Sequence, residues 1–147
     1  MMLPRSLEMA DLPMTAPVEK LMSERVVTVD AASSAFDAAR EIMDRDIGCV
    51  IVLKNKKIVG IVTKGDILKE AVMKRLDPST LNIERIMSQP VLTIGQKSTL
   101  AEASALMSEE NLTKLPVVSK SGELVGIITS SDIMRRNQPK KLAKDNV

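Results

Sequence analysis

Apolar and polar positions change period several times along the chain, and the changes mark its elements. Val26–Val29 ("VVTV") and Val91–Ile94 ("VLTI") are β-branched runs of strand length. Ser33 and Ser34, and then Ser98 and Thr99, supply N-cap candidates for the helices that follow. Phe36, Ala39, Met43 and Ile47 recur at i, i+3, i+7 and i+11, which predicts an apolar helical stripe with its methionine in the core. "CVIVL" and "KIVGIVT" flank a polar "KNK", and "LPVV" and "LVGIIT" flank "SKSGE"; both read as β-hairpins. A last helix follows each, "GDILKEAVMKRL" and "SDIMRRN", ended by Pro78 and Pro139.

The chain repeats itself. "GIVTKGDI" at Gly60–Ile67 returns as "GIITSSDI" at Gly126–Ile133. "VEKLMSERVVTV" aligns with "IERIMSQPVLTI", "FDAAREIM" with "LAEASALM", and "IGCVIVL" with "LTKLPVV", at offsets that drift from 65 to 64 to 66. A period this long, present twice, is a half-domain rather than a solenoid unit. Each copy reads β-α-β-β-α after a short helical turn at "VEKLM" or "IERIM". The expected layout is a tail at residues 1–16, copies at 17–75 and 83–138, a linker at 76–82 and a basic tail at 139–147. Both tails are expected to be solvated.

Composition narrows the chemistry. The 147 residues are 44% hydrophobic and 27% charged, ordinary for a soluble globular chain. With one Phe, no Trp and no Tyr, an aromatic base-stacking platform cannot be built, and a net charge of +2 gives no argument for nucleic acid. The absence of histidine excludes His triads, His bases and His metal ligands. The single cysteine, Cys49, lies in an apolar run, where an inert thiol in a reducing compartment is expected. No signal peptide, no apolar run of about 18 residues and no Gly-rich phosphate loop is present, so a cytoplasmic, non-enzymatic protein is expected.

Thr63-Lys-Gly-Asp66 and Thr129-Ser-Ser-Asp132 carry the remaining chemistry. One reading is a capping box, in which the Thr oxygen takes the N3 amide and the carboxylate returns to the cap amide. Asp reaches back less well than Glu. The other reading uses the same geometry for a ligand: a hydroxyl and a carboxylate side by side suit the vicinal hydroxyls of a ribose. Gly60 and Gly126 would then allow backbone or ligand to come close, unless the hairpin strands need them for packing.

The doubled pattern resembles a tandem pair of CBS domains, the module named after cystathionine β-synthase. The resemblance rests on "VVTV", "AAREIM", "GCVIV" and "GIVTKGDI", then on "VLTI", "AEASALM", "KLPVV" and "GIITSSDI". It covers roughly Pro17 to Gln138 and leaves no catalytic domain over. It implies an α/β (α+β) fold of two β-α-β-β-α repeats packed with pseudo-twofold symmetry, enclosing two clefts for adenosine-containing ligands. On that resemblance Thr63, Asp66, Thr129, Ser131 and Asp132 would hold ribose. Val26 and Gly48, or Val91 and Thr113, would lie against the base. Lys114 would meet phosphate; the first copy has Gly48-Cys49 there, leaving Lys64 as a substitute.

The expected function is a stand-alone sensor of AMP, ADP, ATP or S-adenosylmethionine, with no cofactor and no metal. A homodimer through "ILKEAVM" and "ALM" is expected, with an unknown regulated partner and no membrane contact. The alternatives are an assembly module whose T-x-x-D motifs are caps only, and a nucleic-acid-associated regulator using its basic ends.

Overall fold

The hairpin runs form strands, whereas of "VVTV" and "VLTI" only Thr28–Val29 and Ile94 do, the strands there being Thr28–Asp30 and Ile94–Gly95; polar caps decide where each α-helix starts. The structure is a computed structural model and describes residues 12–89 and 91–137. Residues 1–11 and the basic tail at 139–147, both expected to be solvated, lie outside the described residues. The chain divides into two units, Val26–Val91 and a second made of residues up to Arg25 together with those from Leu92 onward.

In the Val26–Val91 unit, β1 (Thr28–Asp30) runs parallel to β2 (Cys49–Lys54), which pairs antiparallel with β3 (Lys57–Thr63). Val29 stands beside Val52, and Val50 beside Val62. Asn55 and Lys56 both have positive φ, 53° and 66°, the conformation that lets a two-residue turn follow the strand twist. Helix α1 (Ala35–Arg45) starts at Ser34, whose Oγ accepts from Asp37 N at 3.1 Å while Asp37 Oδ2 accepts from Ser34 N at 3.0 Å. Those bonds hold the Asp37 carboxyl below its usual range, the backbone bond from Ser34 contributing most.

This cap also settles the helix phase. Ala35, Ala38 and Ile42 face the core. Ala39 and Ile47 pack partly against it, but Phe36 is 43% exposed and Met43 73% exposed, so the expected stripe is corrected at these two positions. Both stripes are apolar with the same spacing, one residue apart. Periodicity favoured the larger side chains, whereas the small alanines are the ones that let the helix approach the sheet.

The last helix of the first copy is two pieces: α2 (Lys64–Ile67), then a π-helical stretch at Leu68–Val72. Met73 N bonds Leu68 O, and the helix closes where Leu76 N bonds Ala71 O around Arg75, whose φ is 57°. Pro78 opens a single 3₁₀ turn, Pro78–Thr80.

The second unit repeats the frame. β4 (Ile94–Gly95) is parallel to β5 (Lys114–Val118), and β5 is antiparallel to β6 (Leu124–Thr129). Helix α3 (Leu100–Glu109) is boxed by Thr99 and Glu102 and buries Leu100, Ala103 and Met107. Helix α4 (Ser130–Met134) follows β6 directly. Cap on cap and core on core, α1 and α3 correspond at an offset of 65, not the 64 at which "FDAAREIM" and "LAEASALM" align. One added residue in the second hairpin accounts for the later shift to 66.

The lead-in turns pack in an exchanged way. The 3₁₀ turn Ile83–Arg85, which precedes the second copy in sequence, belongs to the core of the first. Ile83 is fully buried, its N–H bonds Ser33 O, and Ser88 exchanges both backbone bonds with Ile61 of β3. The 3₁₀ turn Val18–Lys20 likewise belongs to the second copy's core, with Val18 N bonded to Ser98 O and Ser23 exchanging bonds with Ile127 of β6. Residues 12–16, expected in a solvated tail, extend this strap: Leu12, Met14 and Ala16 pack on that core, and Leu100 N and Ala101 N bond Ala16 O and Met14 O.

Gly60 and Gly126 serve these straps. A Cβ on Gly60 would collide with the Met87 side chain. A Cβ on Gly126 would lie 2.6 Å from Met22 Sδ and 2.8 Å from Ser23 O. Each strand lacks a side chain where a methionine strap crosses it.

Candidate functional site

Thr63 ends β3 and caps α2, placing the first T-x-x-D motif where β1 and β2 begin. Thr63 Oγ1 accepts from Asp66 N at 3.1 Å, and Asp66 Oδ2 accepts from Thr63 N at 2.9 Å. Asp therefore closes the box despite its short side chain. Lys64 N donates to Gly48 O at 3.2 Å, and Ile51 N to Val27 O at 3.0 Å. Val26, Gly48, Thr63 and Asp66 thus come to one end of one sheet. Lys64 is exposed and makes no ion pair among the described residues.

The second motif repeats this geometry in its own unit. Thr129 Oγ1 accepts from Asp132 N, and Asp132 Oδ2 from Thr129 N, both at 3.0 Å. Ser130 N donates to Thr113 O at 2.9 Å. Lys114 stands opposite Thr129 across the β5–β6 pair, so both side chains leave the same face. The counterpart pair is Cys49 opposite Thr63, which makes Cys49 the residue at the Lys114 position. Thr113, Lys114, Thr129 and Asp132 are brought together. Ser131 is exposed, and its carbonyl takes bonds from Arg135. Val91 belongs to the Val26–Val91 unit.

Chemically, the cap and a ligand contact are compatible. The box uses one carboxylate oxygen of each Asp, and Oδ1 of Asp66 and of Asp132 makes no hydrogen bond among the described residues. Each Thr hydroxyl accepts an amide proton and keeps its own proton to donate. Donor and acceptor stand side by side, half-buried, beside the Gly48 or Thr113 backbone.

A groove of about 560 Å³ lies elsewhere, lined by Glu19, Lys20, Met22, Glu24, Gln96 and Val125. Gln96 N bonds Val118 O, so the groove sits at the opposite end of its sheet from Thr129. Its Glu19 is already held by Lys97 at 2.6 Å and Gln96 at 2.9 Å, bonds that lower its pKa, the Lys97 bond foremost. Among the described residues no three acidic, Cys or His side chains gather as metal ligands, and no helix is long and apolar enough to cross a membrane.

Sequence reasoning did not assign the straps. A signal was present: "MS" at Met22–Ser23 and Met87–Ser88, together with "VGI" at Val59–Ile61 and Val125–Ile127. The duplication of both pairs marks a strap and its crossing point.

Known proteins carry the same frame. The family model described as CBS domain matches residues 18–72 and again 83–138. An uncharacterised protein of Methanocaldococcus jannaschii is 41% identical over 119 residues, 81% of this chain and 61% of that protein. An inosine-5'-monophosphate dehydrogenase of Korarchaeum cryptofilum is 33% identical over 118 residues, 80% of this chain and 24% of the enzyme. The chain spans less than two thirds of either relative's length. Among solved structures, a CBS domain pair in complex with 5'-methylthioadenosine and S-adenosyl-L-methionine superposes with a TM-score of 0.72 at 30% identity, covering 84% of this chain and 95% of that one.

Proposed function

The chain belongs to the CBS-domain family, and from that premise we propose that it is a non-enzymatic, cytoplasmic regulatory module that binds adenosine-containing ligands and works as a homodimer. The observation that carries this reading is the duplicated Thr–Asp box, each with one carboxylate oxygen outside the cap and a backbone carbonyl alongside. A ribose presents two adjacent hydroxyls to such a pair. Lys114 beside Thr129 favours a phosphorylated ligand, AMP, ADP or ATP, on that side. Cys49 in its place favours a ligand without phosphate, such as S-adenosylmethionine, beside Thr63. The solved CBS pair bound to two adenosyl compounds supports the ligand class.

A thermal-shift panel with AMP, ADP, ATP, S-adenosylmethionine and 5'-methylthioadenosine tests it. At a hundredfold excess over Kd the expected gain is about 2.7 kcal/mol, on the order of 5–10 °C. Asp132→Asn sharpens the test, because an amide oxygen still closes the cap while the outward acceptor becomes a donor. The variant keeps its melting temperature and loses nucleotide affinity. No shift with any ligand overturns the reading in favour of an assembly module, which the complete capping boxes also suit.

A further inference from the structure

Gly126 is the point where the second unit's strap crosses its sheet, and the side chain seated there is a thioether. A Cβ on Gly126 would lie 2.6 Å from Met22 Sδ and 2.8 Å from Ser23 O, so the sulfur rests on a bare stretch of β6 with a carbonyl oxygen close by. The next residue holds the crossing together: Ser23 N and Ile127 N each donate to the other's carbonyl at 2.9 Å.

Met22 is not sealed in. It is half-buried and lines the groove of about 560 Å³ together with Glu19, Lys20, Glu24, Gln96 and Val125. One side of the thioether meets β6, and a small peroxide can reach the other through the groove. The sulfur lone pair then attacks one peroxide oxygen, the O–O bond breaks, and the second oxygen leaves as water. The sulfur is oxidised by two electrons to the sulfoxide as the peroxide is reduced. The new oxygen is a strong acceptor. On the β6 side it faces the Ser23 carbonyl, another acceptor, in a fit so close that a Cβ there would overlap the sulfur. In the groove it meets the Lys20 ammonium, which makes no ion pair among the described residues. The thioether favours the seat, and the sulfoxide favours the groove.

We propose that Met22 is a reversible oxidation site whose sulfoxide releases the strap from Gly126. Ile127, which the strap holds, stands two residues before Thr129, so release loosens the strand that carries the second Thr–Asp box. That last consequence rests on the ligand reading above; the oxidation and the release do not. Met43, Met73 and Met134 are 73%, 77% and 78% exposed, so peroxide reaches them first and without effect on this crossing.

The full chain is titrated with hydrogen peroxide, sulfoxide at each methionine is followed by peptide mass spectrometry, and exchange is read by NMR at the Ser23 and Ile127 amides. Both amides belong to the second unit and report Met22 rather than Met87. Once Met22 is oxidised, their protection should fall on the order of ten- to a hundredfold, and methionine sulfoxide reductase should restore it. Met22→Leu, close in volume and inert to peroxide, should keep its protection at the same dose. Met22→Gln, with a polar amide in the seat, should lose protection without oxidant. AMP affinity should fall together with the protection. Met22 oxidised while both amides stay protected overturns the release, as does a Met22→Leu protein that loses protection alongside the wild type, or a Met22→Gln protein that keeps it. Met22 that stays reduced until the whole sheet unfolds overturns the site. If AMP binds neither form, the ligand reading fails and the oxidation site stands; if AMP binds both alike, the link to Thr129 is overturned.

Discussion

At the strand position facing the helix cap, one unit carries Cys49 and the other Lys114. On the outer helix face one carries Phe36 and Met43, the other Ala101 and Ser108. Around these differences the frames coincide: a box at Ser34 and at Thr99, a box at Thr63 and at Thr129, a glycine under a methionine at Gly60 and at Gly126. What the units share builds the fold. Where they differ, at Cys49 against Lys114 and at Phe36 and Met43 against Ala101 and Ser108, the frame makes no demand on the residue.

The largest test of this comparison concerns how each unit is completed. Deleting residues 1–25 removes Val18 and the Met22–Ser23 strap from the second unit and nothing from Val26–Val91. Hydrogen exchange should show β4–β6 unprotected and β1–β3 still protected, and a peptide of residues 12–25 added in trans should restore protection. Equal protection of both sheets in the deletion variant would show that the strap is dispensable.

Next comes the exchange of Cys49 and Lys114. A charge-assisted contact contributes roughly 1.5–3 kcal/mol, so Lys114→Ala should weaken AMP by about ten- to a hundredfold and adenosine far less. Cys49→Lys should bring AMP binding to the Thr63 side. Titration calorimetry that finds AMP and adenosine equally weakened by Lys114→Ala would remove the phosphate assignment.

The smallest effect separates the two glycines. Overpacking costs about 1–3 kcal/mol, and both Gly60→Ala and Gly126→Ala should destabilise. The three atoms nearest such a Cβ are all Met87 side chain at Gly60 but include a backbone oxygen, Ser23 O, at Gly126. Met87→Ala should therefore relieve much of the Gly60→Ala loss, whereas Met22→Ala should relieve little of the Gly126→Ala loss. Denaturant melts of the four variants and the two doubles measure this, and equal relief would mean that the strap backbone yields.

Much of this architecture was legible in the residues. Apolar, β-branched runs located the strands, the first of each copy two or three residues early, "KNK" and "SKSGE" the hairpins, and the T-x-x-D spacing the boxes, because each is a local signal with a local cause. The phase of α1 was not, since Ala35-Ala38-Ile42 and Phe36-Ala39-Met43 have the same spacing and only the Ser34 cap distinguishes them. The exchanged straps were not legible either: self-alignment pairs Val18 with Ile83 but says nothing about which sheet each one covers. At the candidate site, the Cys49–Lys114 difference could be read directly. The compatibility of cap and ligand acceptor could not, because it depends on which carboxylate oxygen the box uses.

The exchanged straps have a meaning for descent. A chain with one copy of the repeat would hold its own lead-in turn away from its own sheet and leave the glycine crossing bare. Two such chains would complete each other by trading arms, the geometry of a swapped dimer. Joining them end to end through a segment such as Leu76–Asn82 would preserve every strap contact. The present molecule has the form of such a pair made permanent, and once the arms were tethered its two halves no longer had to stay identical.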